Sequence, residues 1–377
     1  MTFVLTEDQE AIARSARGFV RERAPVAHFR SLRDSNDPIG FSRALWREMA
    51  GLGFAGLTLP ERHGGAALGL TELGLVVEEL GRNLVPTPML STLVLAGGAL
   101  VLGAGDALRE SLLASISTGE RVLALAHEEG ARFAPFAVAT RAERSDAGFV
   151  LRGEKSFVLD GHVADAFVVV ARTSGGDADR AGLTLFYVEA SAEGVSKRRL
   201  ELVDRRNVAA VRFDGARATE IIGELGHGAD ILERVIDRAT ATLSAEMVGG
   251  MQEVFDRTIA YLKTRKQFGV PIGSFQALKH RAAHLYCEIE LTRSLVLDAL
   301  RAHDAERDDA PLVTSAAKAR VSETFRLVAN EAVQMHGGVG VTDELDIGLF
   351  LKRAAVAGQT LGDASYHRDR FARLRGY

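Results

Sequence analysis

The sequence predicts a mainly α-helical chain with a small antiparallel β-barrel at its centre. Two observations carry this. Apolar residues recur at helical spacing in residues 1–120 and 223–377, the latter forming a C-terminal four-helix bundle, whereas residues 121–222 hold short β-rich runs bounded by turn residues. At 377 residues the chain is too long for one ordinary core, so these three stretches are expected to be three domains.

Thr6-x-x-Gln9 has the form of a capping box and opens the first helix. A short helix is expected over residues 42–49, ended near Gly51 and Gly53. Leu73, Val76, Val77, Leu80 and Leu84 follow i, i+3, i+4, i+7, i+11, one face of a helix that Thr71 is placed to cap and that VPTP at 85–88 breaks. In the middle domain, GFVLRGEKSFVLDG has β-rich runs separated by Arg-Gly and Asp-Gly; AFVVVAR, LTLFYVEA and AAVRFDGA follow. The third domain carries one helical stripe through Met251, Val254, Phe255, Thr258, Ile259 and Leu262. A second runs through Val321, Phe325, Val328, Ala332 and Met335, and a long helix over 275–303 lies between them. The charged DAERDDAP reads as a solvated loop.

Composition narrows the function classes. Apolar residues make up 47%, charged residues 25%, and the net charge is −4 without a basic stripe, so nucleic acid is not an expected partner. No run reaches the roughly 18 apolar residues of a membrane span. The N-terminus lacks the basic and apolar regions of a secretion signal. Cys287 is the single cysteine and has no internal disulfide partner. A cytoplasmic protein is expected. His280 and His284 share a helix face but no metal-ligand constellation surrounds them, so no metal is expected.

Two stretches ask for more than structure. In YLKTRKQFGVPIGSFQALKHR, two helix-like segments meet across Gly269, Pro271 and Gly273, with Arg265, Gln267 and Phe268 before the break and Gln276 after it. A plain helix end accounts for Arg265 and Gly269. An anion site accounts for them equally: arginine offers forked donors to phosphate oxygens and an aromatic ring can wall a heterocycle. In QMHGGVGV, from Gln334, three glycines within four residues exceed what a helix cap needs and remove side chains where a backbone approaches something closely. The run follows a helix, which excludes a Rossmann or P-loop assignment.

R-K-Q-F-G-x-P-I-x-x-F-Q, followed some way on by Q-x-H-G-G-x-G, resembles the acyl-CoA dehydrogenase family of flavoproteins. The helix–strand–helix order and LTLPERHGG, from Leu57, resemble it too. The resemblance implies FAD held at a subunit interface. Arg265 would bind the diphosphate, Phe268 would pack on the adenine end and Gln276 would lie near the adenosine. Gln334, Met335 and the Gly337–Gly338 backbone would take the diphosphate from a partner subunit. It also implies an acyl-CoA substrate converted to a trans-2-enoyl-CoA, an electron-transfer flavoprotein as acceptor, and a homodimer, homotetramer or heterotetramer with a paralogous subunit.

The pattern is broken where the family keeps its base. The glutamate of its C-terminal E-G-T falls on Gly362, with Asp363 one residue on; the alternative position, on the first long helix of the bundle, falls on Ala239. Three explanations stand: Asp363 is the base, Glu246 in SAEMVGG is the base, or the chain is the non-catalytic FAD-binding half of a heteromer. A flavin monooxygenase or oxidase on the same fold, needing no such base, is a further alternative. The family's T-E-P-x-A-G-S-D is replaced by AHEEGARFA from Ala126, and its W-x-T by Phe157-Val-Leu159, where Phe157 can still stack on a flavin ring and Leu159 cannot donate a hydrogen bond.

Overall fold

The computed structural model describes residues 4–146 and 148–377. In chain order come α1 (Glu7–Arg23), α2 (Val26–Asp34), α3 (Arg43–Gly51) and α4 (Leu70–Arg82), a π-helical run Met89–Gly97, α5 (Gly98–Gly103) and α6 (Asp106–Ser117). Eight strands follow: β1 (Leu123–Ala126), β2 (Arg141–Ser145), β3 (Gly148–Leu159), β4 (Ala166–Arg172), β5 (Leu183–Glu189), β6 (Val195–Leu200), β7 (Val208–Ala218) and β8 (Glu220–Ile222). Then come α7 (Ala229–Thr264), the two-residue strands β9 (Lys266–Gln267) and β10 (Val270–Pro271), and α8 (Gln276–Asp304). The chain ends with α9 (Ala310–His336), α10 (Ile347–Gln359) and α11 (Ala364–Leu374). Contacts group the chain into two compact units. The first holds the residues up to Asp34, Leu70–Val85 and Thr240–Tyr377; the second holds Ser35–Gly69 and Pro86–Ala239.

The first unit is helical. Thr6 and Gln9 form the reciprocal capping box, with Thr6 Oγ1 accepting from the Gln9 amide at 3.2 Å and Gln9 Oε1 from the Thr6 amide at 3.1 Å. The stripe Leu73, Val76, Val77, Leu80 and Leu84 is buried as its spacing predicts. The start of α4 differs from expectation. Thr71 lies inside the helix, and the cap comes from the far end of α8: Asp304 accepts from the Leu70 and Thr71 amides and from the Thr71 hydroxyl. Close packing of α7 on α4 explains the small residues of SAEMVGG. A Cβ on Gly249 would stand 1.9 Å from the Glu78 carbonyl, and one on Gly81 2.1 Å from that of Glu246. Helices α8, α10 and α11 pack on α9.

The second unit is built on one sheet of order β6-β7-β3-β2-β4-β5-β8, with β1 pairing parallel to β4. It does not close, so the expected antiparallel barrel is an open, mixed sheet. Its edges explain why. Strand β6 presents the exposed Ser196-Lys197-Arg198, whose two cations blunt further pairing, and β8 is three residues long. The Arg152-Gly153 pair, expected to separate two runs, is a bulge inside one twelve-residue strand. Register shifts at Leu151/Arg152 and again at Lys155/Val158 let β3 bend along β7. Phe167, Phe186, Val188, Val211 and Phe213 fill the core, with Phe167 and Phe213 edge-to-face at 6.0 Å. The apolar run after VPTP, too short to span a membrane, is the buried π-helical segment. Its Thr92 hydroxyl donates to the Leu123 carbonyl at 2.9 Å and accepts from the Leu123 amide, tying it to β1. No described helix is long and apolar enough to cross a membrane.

Candidate cofactor site and candidate bases

The connector between α7 and α8 is a hairpin whose turn residues, Phe268 and Gly269, have φ of +53° and +81°. Two positive φ values in a two-residue turn suit Asn-Gly; phenylalanine there is strained by about 1 kcal/mol. Its ring is 91% exposed and meets only the edge of Phe275, centroids 6.1 Å apart. Arg265 directly follows α7, its amide donating to the Tyr261 carbonyl at 2.8 Å, and its exposed guanidinium makes no hydrogen bond or ion pair among the described residues. Gln276 is exposed at the first turn of α8.

The glycine run ends α9. Gly337 has φ +65° and ψ −145°, a region that glycine alone occupies readily, and Gly338 has open space where a Cβ would stand. Gln334 is exposed, whereas Met335 is buried in the core of the unit. Tyr261 joins the two motifs: its ring stacks on His336 at 4.3 Å and its hydroxyl donates to the His336 carbonyl at 3.3 Å. One turn beyond Tyr261 is Arg265, and Gly337 follows His336. Both motifs therefore lie at one end of one chain. A free guanidinium, two exposed amides, an exposed ring and side-chain-free backbone fit the diphosphate and base of a dinucleotide.

The two sequence-placed bases are both engaged. Asp363 is the N-cap of α11, accepting from the Tyr366 amide at 2.8 Å. Its segment is clamped from below. Buried Lys318 donates to the carbonyls of Gly362 at 2.9 Å and of Ala357 and Gly358 at 3.1 Å, and its ammonium lies 3.2 Å from Ser322 Oγ. The His367 ring donates from Nε2 to the Leu361 carbonyl at 2.9 Å. Burial, then the Lys318 charge, push its pKa down to about 3. Glu246 pairs with Arg353 at 3.0 Å, both largely buried. Ala239, at the other family position, is fully buried.

In the second unit Phe157 is half-buried on β3, and Leu159 is buried. The loop after β1 reaches Phe157's strand through the Ser156 amide, which donates to the Glu128 carbonyl at 2.8 Å. Four titratable groups gather there. Buried Lys155 donates to Glu129 at 2.6 Å and to the His127 carbonyl at 3.3 Å. Burial lowers the Lys155 pKa to about 8, against the opposing pull of Glu129. Burial would raise Glu129, but Lys155 overrides it and holds Glu129 below the usual carboxylate range. His127, 3% exposed, makes no well-formed hydrogen bond through either ring nitrogen; burial and then Lys155 push it down to about 3, against a smaller contribution from the Leu125 backbone. Its Nε2 lies 3.6 Å from Glu128 Oε1. Burial alone raises Glu128 to about 7. The sequence marked this segment only as a departure, since neither burial nor missing partners can be read from AHEEG.

Comparison with known proteins gives one answer along the whole chain. The acyl-CoA dehydrogenase N-terminal, middle and C-terminal domain models match residues 6–120, 124–216 and 226–374. The acyl-CoA dehydrogenase IpdE2 of Mycolicibacterium smegmatis is 33% identical over 95% of this chain and 96% of its own. The chain belongs to the acyl-CoA dehydrogenase family. Among solved structures, a variant of the Tcur3481-Tcur3483 steroid ACAD is 30% identical with a TM-score of 0.88, covering 98% of each chain. The ChsE4-ChsE5 complex from Mycobacterium tuberculosis is 28% identical with a TM-score of 0.89, covering 100% of this chain and 99% of that one. As an acyl-CoA dehydrogenase family member the chain is an FAD-dependent oxidoreductase.

Proposed function

We propose that this chain oxidises an acyl-CoA thioester to the trans-2-enoyl-CoA and passes the electrons to an electron-transfer flavoprotein. What supports the reading is that Tyr261, one turn before Arg265, stacks on His336, which precedes Gly337, so that both motifs lie at one end of the first unit. Bound FAD supplies the two-electron oxidant. Arg265 would hold its diphosphate, Phe268 would pack on the adenine and Gln276 would lie near the adenosine, while Gln334 and the Gly337–Gly338 backbone would take the diphosphate from a partner subunit. Phe268, Val270, Phe275, Tyr286 and Leu291 leave apolar surface along the connector and α8. That surface suits a second copy or a paralogous subunit, so we assign a dimer or tetramer. A cytoplasmic setting suits a single, exposed cysteine.

A second reading is favoured by the engaged carboxylates. With Asp363 used as a cap and Glu246 held by Arg353, the chain would serve as the FAD-binding subunit of a heteromer. The names of two structural relatives, Tcur3481-Tcur3483 and ChsE4-ChsE5, each join two components.

The test is a visible absorption spectrum of the purified chain, then anaerobic titration with acyl-CoAs of different length. Bleaching by one thioester supports the first reading; a yellow chain that none bleaches supports the second. Arg265→Ala should weaken FAD retention about tenfold or more by removing the charged fork from the diphosphate. Unchanged flavin content in that variant would overturn the placement of the cofactor.

A further inference from the structure

Glu128 differs from both sequence-placed acids. Its carboxylate is 12% exposed and makes no hydrogen bond among the described residues, and the neutral His127 ring lies 3.6 Å from it. The cluster around it keeps it so. A protonated His127 would lock Glu128 into an ion pair and weaken it as a base. The buried Lys155 cation opposes that protonation, and Glu129 in turn holds Lys155 at 2.6 Å. The Ser156 amide sets the Glu128 backbone beside the strand that carries Phe157.

We propose that Glu128 is the proton acceptor for the α-carbon of the thioester, with neutral His127 beside it. This rests on the dehydrogenase reading above. The Cα–H bond breaks and its proton passes to a Glu128 carboxylate oxygen. The electron pair left behind becomes the Cα=Cβ bond as the β-carbon gives its hydride to the flavin, the two-electron oxidant. Glu128, partly open to solvent, then releases the proton. A carboxyl whose environment brings its pKa near the working pH suits this task, whereas Asp363 and Glu246 are committed to a helix end and to an arginine.

The experiment compares flavin-loaded wild type, Glu128→Gln and Asp363→Asn. Flavin content is measured first. An acyl-CoA with sulfur in place of the β-carbon, which has no β-hydride to give, is then incubated in D2O and deuterium at Cα is followed by mass spectrometry. Anaerobic bleaching by an oxidisable thioester completes the set. Glu128→Gln should keep its flavin and lose exchange and bleaching about a hundredfold or more, while Asp363→Asn keeps both. Glu128→Gln exchanging at the wild-type rate, or Asp363→Asn losing exchange, would overturn the assignment alone. A wild type that neither exchanges nor bleaches would overturn the dehydrogenase reading and the assignment with it. Should Glu128→Gln fail to hold flavin, Glu128→Asp carries the test. Wild-type exchange per bound flavin in that variant would count against Glu128, because one missing methylene moves a base away from its proton.

Discussion

Phe268 occupies a turn position that asparagine or glycine would fill with less strain, and it does so with its ring almost wholly in water. Folding of this chain gains little from that choice, which is the reason for proposing Phe268 as a ligand or partner contact. Asp363 teaches the opposite lesson: a helix cap worth about 1 kcal/mol is a sufficient reason for an aspartate there. Glu128 carries a stability signature of its own. Its folded pKa is raised from 4.5 to about 7, so between those values the folded chain holds the proton more tightly than the unfolded one. Stability from this group is therefore present below about pH 4.5 and is lost as pH rises to 7. In Glu128→Gln that loss disappears. Thermal unfolding across pH should show the variant gaining on the parent by up to about 3 kcal/mol over this window. A constant difference at all pH values would mean that Glu128 is not held protonated.

Elements position the candidate site through their ends. Helices α7 and α9 are joined by the Tyr261–His336 stack, and the hairpin and glycine run project from that junction. The other end of α9 holds Lys318, whose ammonium gathers three carbonyls from the α10 end and the turn before α11. Neutral His367 fastens the same turn through Leu361. Lys318→Met would leave three buried acceptors without a donor and should destabilise the first unit by about 3 kcal/mol or more. Hydrogen exchange should show protection lost first at amides 360–367; a variant with parental protection there would show that the clamp contributes little.

Across the whole molecule the buried titratable groups oppose one another. His127 and His367 are held at about 3 and His162 at about 4, so as pH falls below 6.5 the unfolded chain takes protons that the folded chain refuses, and stability is lost at up to ~1.4 kcal/mol per pH unit for each imidazole. Over much of the same range Glu128 and Asp160, raised to about 7 and about 6 chiefly by burial, bind protons earlier when folded and add stability. The two carboxyls offset only part of the loss from the three imidazoles, and that offset ends once the unfolded carboxyls are also protonated, near pH 4. Unfolding temperature should fall only gently from about pH 6.5 to about 4.5 and steeply below 4. A steep fall already at pH 6 would show that the carboxyl contributions are absent.

The sequence alone determined the order of helices and strands and the two motifs that mark the family, because periodicity and turn chemistry act over a few neighbouring residues. It determined the capping box and the buried stripe of α4 for the same reason. Tertiary structure decided what depends on distant partners. The cap of α4 comes from Asp304, the sheet stays open because its edges are cationic or short, and Arg353 engages Glu246 from another helix. Tertiary structure also decided that Glu128 is largely, not wholly, buried and makes no side-chain hydrogen bond among the described residues, since its surroundings come from β3 and the loop after β1. Basicity depends on what surrounds a carboxylate, and that is settled only when the chain has folded.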